Sequence, residues 1–248
     1  MALDLRERLL AVMDAKNHWA WPAFTRPGLT RPQLAVHFRH EFHTYVRDFP
    51  VLLARVLGQG PPEDVRVALA SNVYEEQTGG QSLGLSHPEL FLEMMDGLGL
   101  SREVITRADP ALEPEAIAYR EALDRWSSRP PWIVGAAVLT IFVEGSVHER
   151  AVLAGSAPAL PPVEEAIAQH PLVRHYGADP AKMRLVRAHH AVEGGHRADA
   201  WNMVLGHAPT EPEAQGAITR AVEEAGRLWH AYRDGVARAM RLPRPATG

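Results

Sequence analysis

Residues 186–201 read VRAHHAVEGGHRADAW, and the way this stretch folds bears on both the class of the chain and its chemistry. Asp179-Pro180 opens a helical pattern that runs through it, yet Gly194 and Gly195 stand in the interior, where each costs about 1 kcal/mol relative to alanine. On a wheel of roughly 100° per residue with His189 at zero, Glu193 falls near 40° and His196 near 340°. The three share an arc with, or beside, Leu185, Val186, Val192, Ala200, Met203 and Val204. His190 falls outside it. That arc is the core-facing stripe, and a carboxylate placed there must be protonated, paired or bound to a metal. Two imidazoles and a carboxylate from one helix face make a ligand set for iron, manganese or zinc. A hydrogen-bonded polar cluster is the alternative.

Outward from this helix the chain reads as all-α. Leu34, Phe38, Phe42, Tyr45, Leu52 and Leu53 recur at helical spacing within 31–58. Prolines and acidic residues open the segments PPEDVRVALASNVYEE and DPALEPEAIAYREALDRW, as expected at helix starts. A last helix runs through TEPEAQGAITRAVEEAGRLWHAYRDGVARAM and stops before the proline-rich tail LPRPATG. No alternating strand pattern and no repeat stand out. The expectation is one helical domain over 1–248, about seven or eight helices, with a core over about 15–235 and a flexible tail from about 242 to 248.

Composition narrows the chemistry. The 248 residues include 30 acidic and 26 basic side chains, for a net charge of −4, and form no basic stripe, so a nucleic-acid partner is not expected. The chain has no cysteine, which excludes disulfides, thiolate nucleophiles and zinc–thiolate sites and fits a cytoplasmic location. Its N-terminus, MALDLRERLLAVMDAK, is charged and amphipathic and does not read as a secretory signal. The apolar run PWIVGAAVLTIFVEGSV, 131–147, falls short of the roughly 20 residues needed to span a membrane and contains Glu144. It reads as a helix buried in a protein core, with no membrane partner.

Glu144 is the only charge in that run, and Thr140, Ile141, Val147 and His148 share its side of the helix. It needs a partner, either a buried arginine or a cation. The loop EEQTGGQSLGLSHPELF, 75–91, adds Glu75 or Glu76 at one helix end and His87 at the next helix start, with glycines between that let the chain fold back. Glu76, His87, Glu144, His189, Glu193 and His196 together would suit two ions bridged by carboxylates.

These pieces, NVYEEQTGG…SHPELF, IFVEG and HHAVEGGH, resemble the heme-oxygenase-like diiron oxidases, and FHTYVRDFPVLLARVL is similar to that family's first core helix. The resemblance implies the heme-oxygenase-like helical bundle, shared with the pyrroloquinoline-quinone biosynthesis C protein and TenA-type thiaminases. It implies two iron ions, with manganese as the alternative, held by those six residues, and dioxygen as co-substrate. Activities in such a family include N-oxygenation of amines and oxidative C–C cleavage of amino or fatty acids. A small-molecule substrate, an external electron donor and a homodimer are the partners it suggests.

The chain departs from the pattern in three ways. Glu193 stands where an aspartate is usual, the Glu-to-His spacing in EEQTGGQSLGLSH is irregular, and the connection from Glu144 to His189 is long enough for an inserted helix after residue 153. TenA-type thiaminases use a cysteine, which this chain lacks. A metal-free oxidase of the quinone-biosynthesis type, or a non-catalytic helical binding protein, are the competing readings. Two further expectations concern packing: Phe42, Tyr45 and Trp132 as core rather than pocket residues, and a close approach or π-bulge at Gly194 and Gly195.

Overall fold

The computed structural model describes residues 4–107 and 111–244, without the side chains of 192–197. Every regular element among the described residues is helical. The longer helices are α1 (Leu5–Asp14), α3 (Arg31–Glu41), α4 (Phe49–Leu57), α5 (Glu63–Thr78), α6 (His87–Gly97), α8 (Pro114–Ser128), α13 (Arg184–Gly206) and α14 (Pro212–Ala239). Shorter ones are α2 (Trp21–Thr25), α7 (Arg102–Thr106), α9 (Trp132–Ala136), α10 (Glu149–Leu153), α11 (Val163–Gln169) and α12 (Pro171–Tyr176).

Among the described residues, fourteen α-helices replace the expected seven or eight, and the difference has local causes. The segment 31–58, read as continuous, passes from α3 through a π-helical turn, Phe42–Val46, and restarts at Phe49-Pro50 as α4. Its π character shows in the bond from the Arg47 amide to the Phe42 carbonyl, five residues back, at 3.0 Å. The apolar run likewise divides into α9 and a second π-helical stretch, Ala137–Val143, where the Glu144 amide reaches back to Leu139 O at 3.2 Å. The long connection after residue 153 contains α11, α12 and a 3₁₀ turn, Pro180–Lys182.

Local chemistry accounts for the boundaries. Thr30 and Gln33 form a reciprocal capping box at α3. Asp4 and Ser86 accept backbone N–H groups at the starts of α1 and α6. Gly79 ends α5 in the left-handed conformation, φ 62°.

One apolar cluster joins α1, α4, α5, α8, α9, the Ala137–Val143 stretch, α13 and α14, and includes Leu9, Leu53, Leu69, Val138, Leu139, Phe142 and Val204. The other packs α3, α6 and α7 against α11 and α12 through Leu34, Phe38, Phe91, Met95 and Ile167. Phe42 is buried in the second cluster, while Tyr45 and Trp132 pack on the first. Helix α13 runs between the two, packing on α5, α6, α9, α11 and the Ala137–Val143 stretch. No described helix is long and apolar enough to cross a membrane.

A buried ionic cluster lies between α3 and α14. Arg233 donates to Glu41 at 2.8 Å, Tyr45 donates to the same carboxylate at 3.1 Å, and His37 Nε2 lies 3.4 Å from its other oxygen. The guanidinium is enclosed by the rings of Trp21, Trp229 and Tyr232 at 4.8–5.3 Å. Burial dominates at His37 and pushes its pKa down to about 4, despite the neighbouring carboxylate.

Candidate metal centre

Asn72, Glu75 and Glu76 occupy the last turns of α5, and an i, i+3, i+4 spacing places them on one side of the helix. His87 is the first residue of α6. The connection folds back on Gly79, where a Cβ would collide with the backbone of Leu85. Arg184 at the start of α13 pins this loop, donating to Leu83 O at 3.2 Å and to Glu93 of α6 at 3.0 Å.

The fold-back sets the imidazole of His87 between two carboxylates. Nε2 lies 3.2 Å from Glu75 Oε1, and Nδ1 lies 2.8 Å from Glu76 Oε1. The Nδ1 contact is close but out of line for a hydrogen bond, so a buried nitrogen is left without one. Glu75 is completely buried and anchored: it accepts the Gln81 amide at 2.7 Å and the Ser82 hydroxyl. Burial alone would raise the Glu75 carboxyl pKa; the bonds from Ser82, Gln81 and His87 outweigh it and hold the group below its usual value. At His87, burial opposes the charged ring, but Glu76 and then Glu75 beside it raise its pKa.

Helix α13 brings His189 edge-on to this ring, with centroids 5.0 Å apart. Glu144, immediately after the π-helical stretch, accepts from Asn72 Nδ2 at 3.0 Å. The structure thus gathers Glu76, His87 and His189, and ties Glu144 to the same helix α5. Glu193 and His196 lie on α13 outside the described side chains, as does the expectation about Gly194 and Gly195. Among the described residues, no three His, Asp or Glu side chains already stand at metal-binding spacing. His190 is turned away and bonds Pro161 O at 2.9 Å, and His148 is exposed.

Asn72, Glu149 and Lys16 escaped the sequence reading, and Glu75, the alternative to Glu76 there, proves to be the anchor of His87. Asn72 bonds Glu144, and Glu75 holds His87 from the far side. Glu149, buried at the start of α10, accepts from Trp201 Nε1 of α13 at 2.9 Å and from the Ser146 amide at 3.0 Å. Lys16 packs under the segment carrying Glu144. A buried acid at 149 was signalled only by its neighbour Trp201, far away in sequence.

The donor chemistry suits a cation. A buried imidazole nitrogen lacking a hydrogen bond, a carboxylate oxygen beside it and a second imidazole opposite form an oxygen-and-nitrogen set appropriate to iron or manganese.

Fold and site together define a class: a helical protein of heme-oxygenase-like architecture with a buried carboxylate–imidazole centre. Two solved structures share that architecture. A heme-oxygenase-like domain of unknown function from Shewanella denitrificans OS217 aligns at TM-score 0.67 and 15% identity, covering 100% of this chain and 98% of its own. A TenA homologue from Pseudomonas syringae pv. tomato DC3000 aligns at TM-score 0.65 and 15% identity, covering 94% of this chain and 89% of its own. Identities this low speak to the fold alone. Residues 36–230 match the family described as iron-containing redox enzyme, and the chain belongs to that family. Among proteins of curated function, none matches by sequence.

Proposed function

We propose that the chain is a non-heme diiron oxidase or oxygenase that uses dioxygen to oxidise a small molecule. The observation that carries this reading is His87 clasped between Glu75 and Glu76 with His189 against its ring. Such a place calls for positive charge, whether a proton or a metal cation. Glu76, His87, Glu144 and His189, joined by Glu193 and His196 from α13, are the residues that would hold two ions, iron before manganese. When bound, iron supplies the electrons that activate dioxygen.

The chain's own residues then have distinct tasks. Glu75 receives the Nε2 proton of His87 and so fixes the ring with Nδ1 turned toward Glu76. Asn72 donates to one Glu144 carboxylate oxygen and so orients the group. The likeness to a TenA homologue does not extend to a thiaminase reading, because no cysteine is present to act as nucleophile. A homodimer and an external electron donor belong to the same proposal.

Anaerobic titration of the purified protein with ferrous iron tests it. Uptake of about two equivalents is expected, with proton release as ligands lose their protons and an oxygen-dependent absorption transient on mixing with air. Glu144→Gln and His189→Ala should each weaken uptake by about 10-fold or more. A protein that takes up no iron, or oxidase activity that survives complete chelation, would overturn the reading.

A further inference from the structure

Lys16 lies two residues beyond the end of α1 and far in sequence from every candidate ligand. Its ammonium nonetheless sits at the end of the Ala137–Val143 stretch, 2.5 Å from Phe142 O, 3.1 Å from Val143 O and 2.6 Å from Gly145 O. Those carbonyls bracket Glu144. They belong to a helix end, where carbonyls have no amide of their own helix ahead of them and the backbone dipole is negative. A lysine ammonium carries three donors and a full charge, and here three acceptors converge on it. It is also seated 4.9 Å from the centre of the Phe142 ring.

The corner leaves little slack around this clasp. A Cβ on Gly145 would run into the Ile141 carbonyl and come within 2.9 Å of Met13 Cε, so α1 touches the corner through Met13 as well as approaching it through Lys16. On the far side the Glu149 carboxylate accepts the Ser146 amide and Trp201 Nε1, which ties the corner to α13.

We propose that Lys16 is a positioning residue for Glu144. By gathering the carbonyls on both sides of that residue, it fixes the backbone from which the carboxylate reaches Asn72 and the centre. The consequence for ligation rests on the diiron reading of the centre. The hold on the corner does not.

The test uses the full chain with Lys16→Met and Lys16→Arg. In Lys16→Met, hydrogen exchange at the amides of Glu144, Gly145 and Ser146 should accelerate about 10-fold, while amides in α8 and α14 stay protected. In anaerobic ferrous titrations, one of the two equivalents should bind about 10–100-fold more weakly, recovering at excess iron, and Lys16→Arg should restore most of the affinity. A residue that merely stabilised the fold would lower the unfolding temperature without singling out one equivalent. Unchanged exchange at 144–146 overturns the positioning role whatever iron does. Accelerated exchange with wild-type affinity at both equivalents overturns its bearing on the centre. If the wild type itself takes up no iron, the metal reading falls, and the exchange measurement still decides the positioning. Should Lys16→Met not fold, the neutral Lys16→Gln carries the same comparison.

Discussion

At the scale of single residues, adjacent acids with opposite duties are the sharpest result. Glu75 and Glu76 sit one position apart, roughly 100° around the helix, and no pattern within α5 distinguishes them. The distinction comes from the returning loop, which delivers the Gln81 amide and the Ser82 hydroxyl to Glu75 and leaves Glu76 facing His87 Nδ1. The two conservative amides should therefore behave differently. Glu75→Gln puts an amide N–H against established donors in a buried position, and is expected to cost about 1–3 kcal/mol of stability. Glu76→Gln keeps the shape but removes the charge facing His87 Nδ1, and is expected to weaken iron uptake more strongly than Glu75→Gln does. Urea unfolding paired with ferrous titration of both variants separates these outcomes. In the sequence, His189 and Glu144 stood out because their polarity clashes with an apolar stripe, and Glu76 and His87 because they flank a glycine-rich loop. Asn72 and Lys16 are polar residues in ordinary polar surroundings, and nothing local marks them.

Among elements, the connection from α5 to α6 shows what the glycine-rich loop accomplishes. Gly79 adopts φ 62°, and a methyl there would press on the backbone nitrogen of Leu85 at 2.6 Å, an atom that cannot move aside. Gly79→Ala should cost about 2–4 kcal/mol from left-handed strain and overpacking, and it should weaken iron uptake because His87 is aimed by this turn. Differential scanning calorimetry and metal content report the two effects separately. That a fold-back occurs was readable from the glycines and from Ser86-His87-Pro88 as a helix start. The π-helical stretches were not. Ala137–Val143 is almost uniformly apolar, so an i→i−4 and an i→i−5 ladder bury the same side chains, and only the neighbouring helices choose between them. The count of helices failed for another reason: α2, α7, α10, α11 and α12 are five to seven residues long, too short to show a helical period.

For the molecule as a whole, the helical class followed from periodicity, but the ionic cluster between α3 and α14 did not. Glu41 and Arg233 stand 192 positions apart, and each looks like an ordinary surface residue of its own helix. Their neighbour His37 makes stability depend on acid. Unfolded, it takes a proton near its usual pKa of 6.5; folded, only near 4. Between these values the unfolded chain binds more protons, so stabilisation that is complete above the upper value is lost as pH falls toward the lower, by about 3 kcal/mol. His37→Gln should flatten that part of the profile, as measured by urea midpoints at about pH 7 and about pH 4.5. The cluster also bears on where the chain can be cut. The family match spans 36–230, an inviting interval for excision. Trimming to it would remove Leu9, Leu10 and Met13, all fully buried, and strip the wall they cover on α14. It would also discard Arg233 and leave the Glu41 carboxylate stranded in a dry interior, so the recognisable portion of this protein is smaller than its smallest foldable portion.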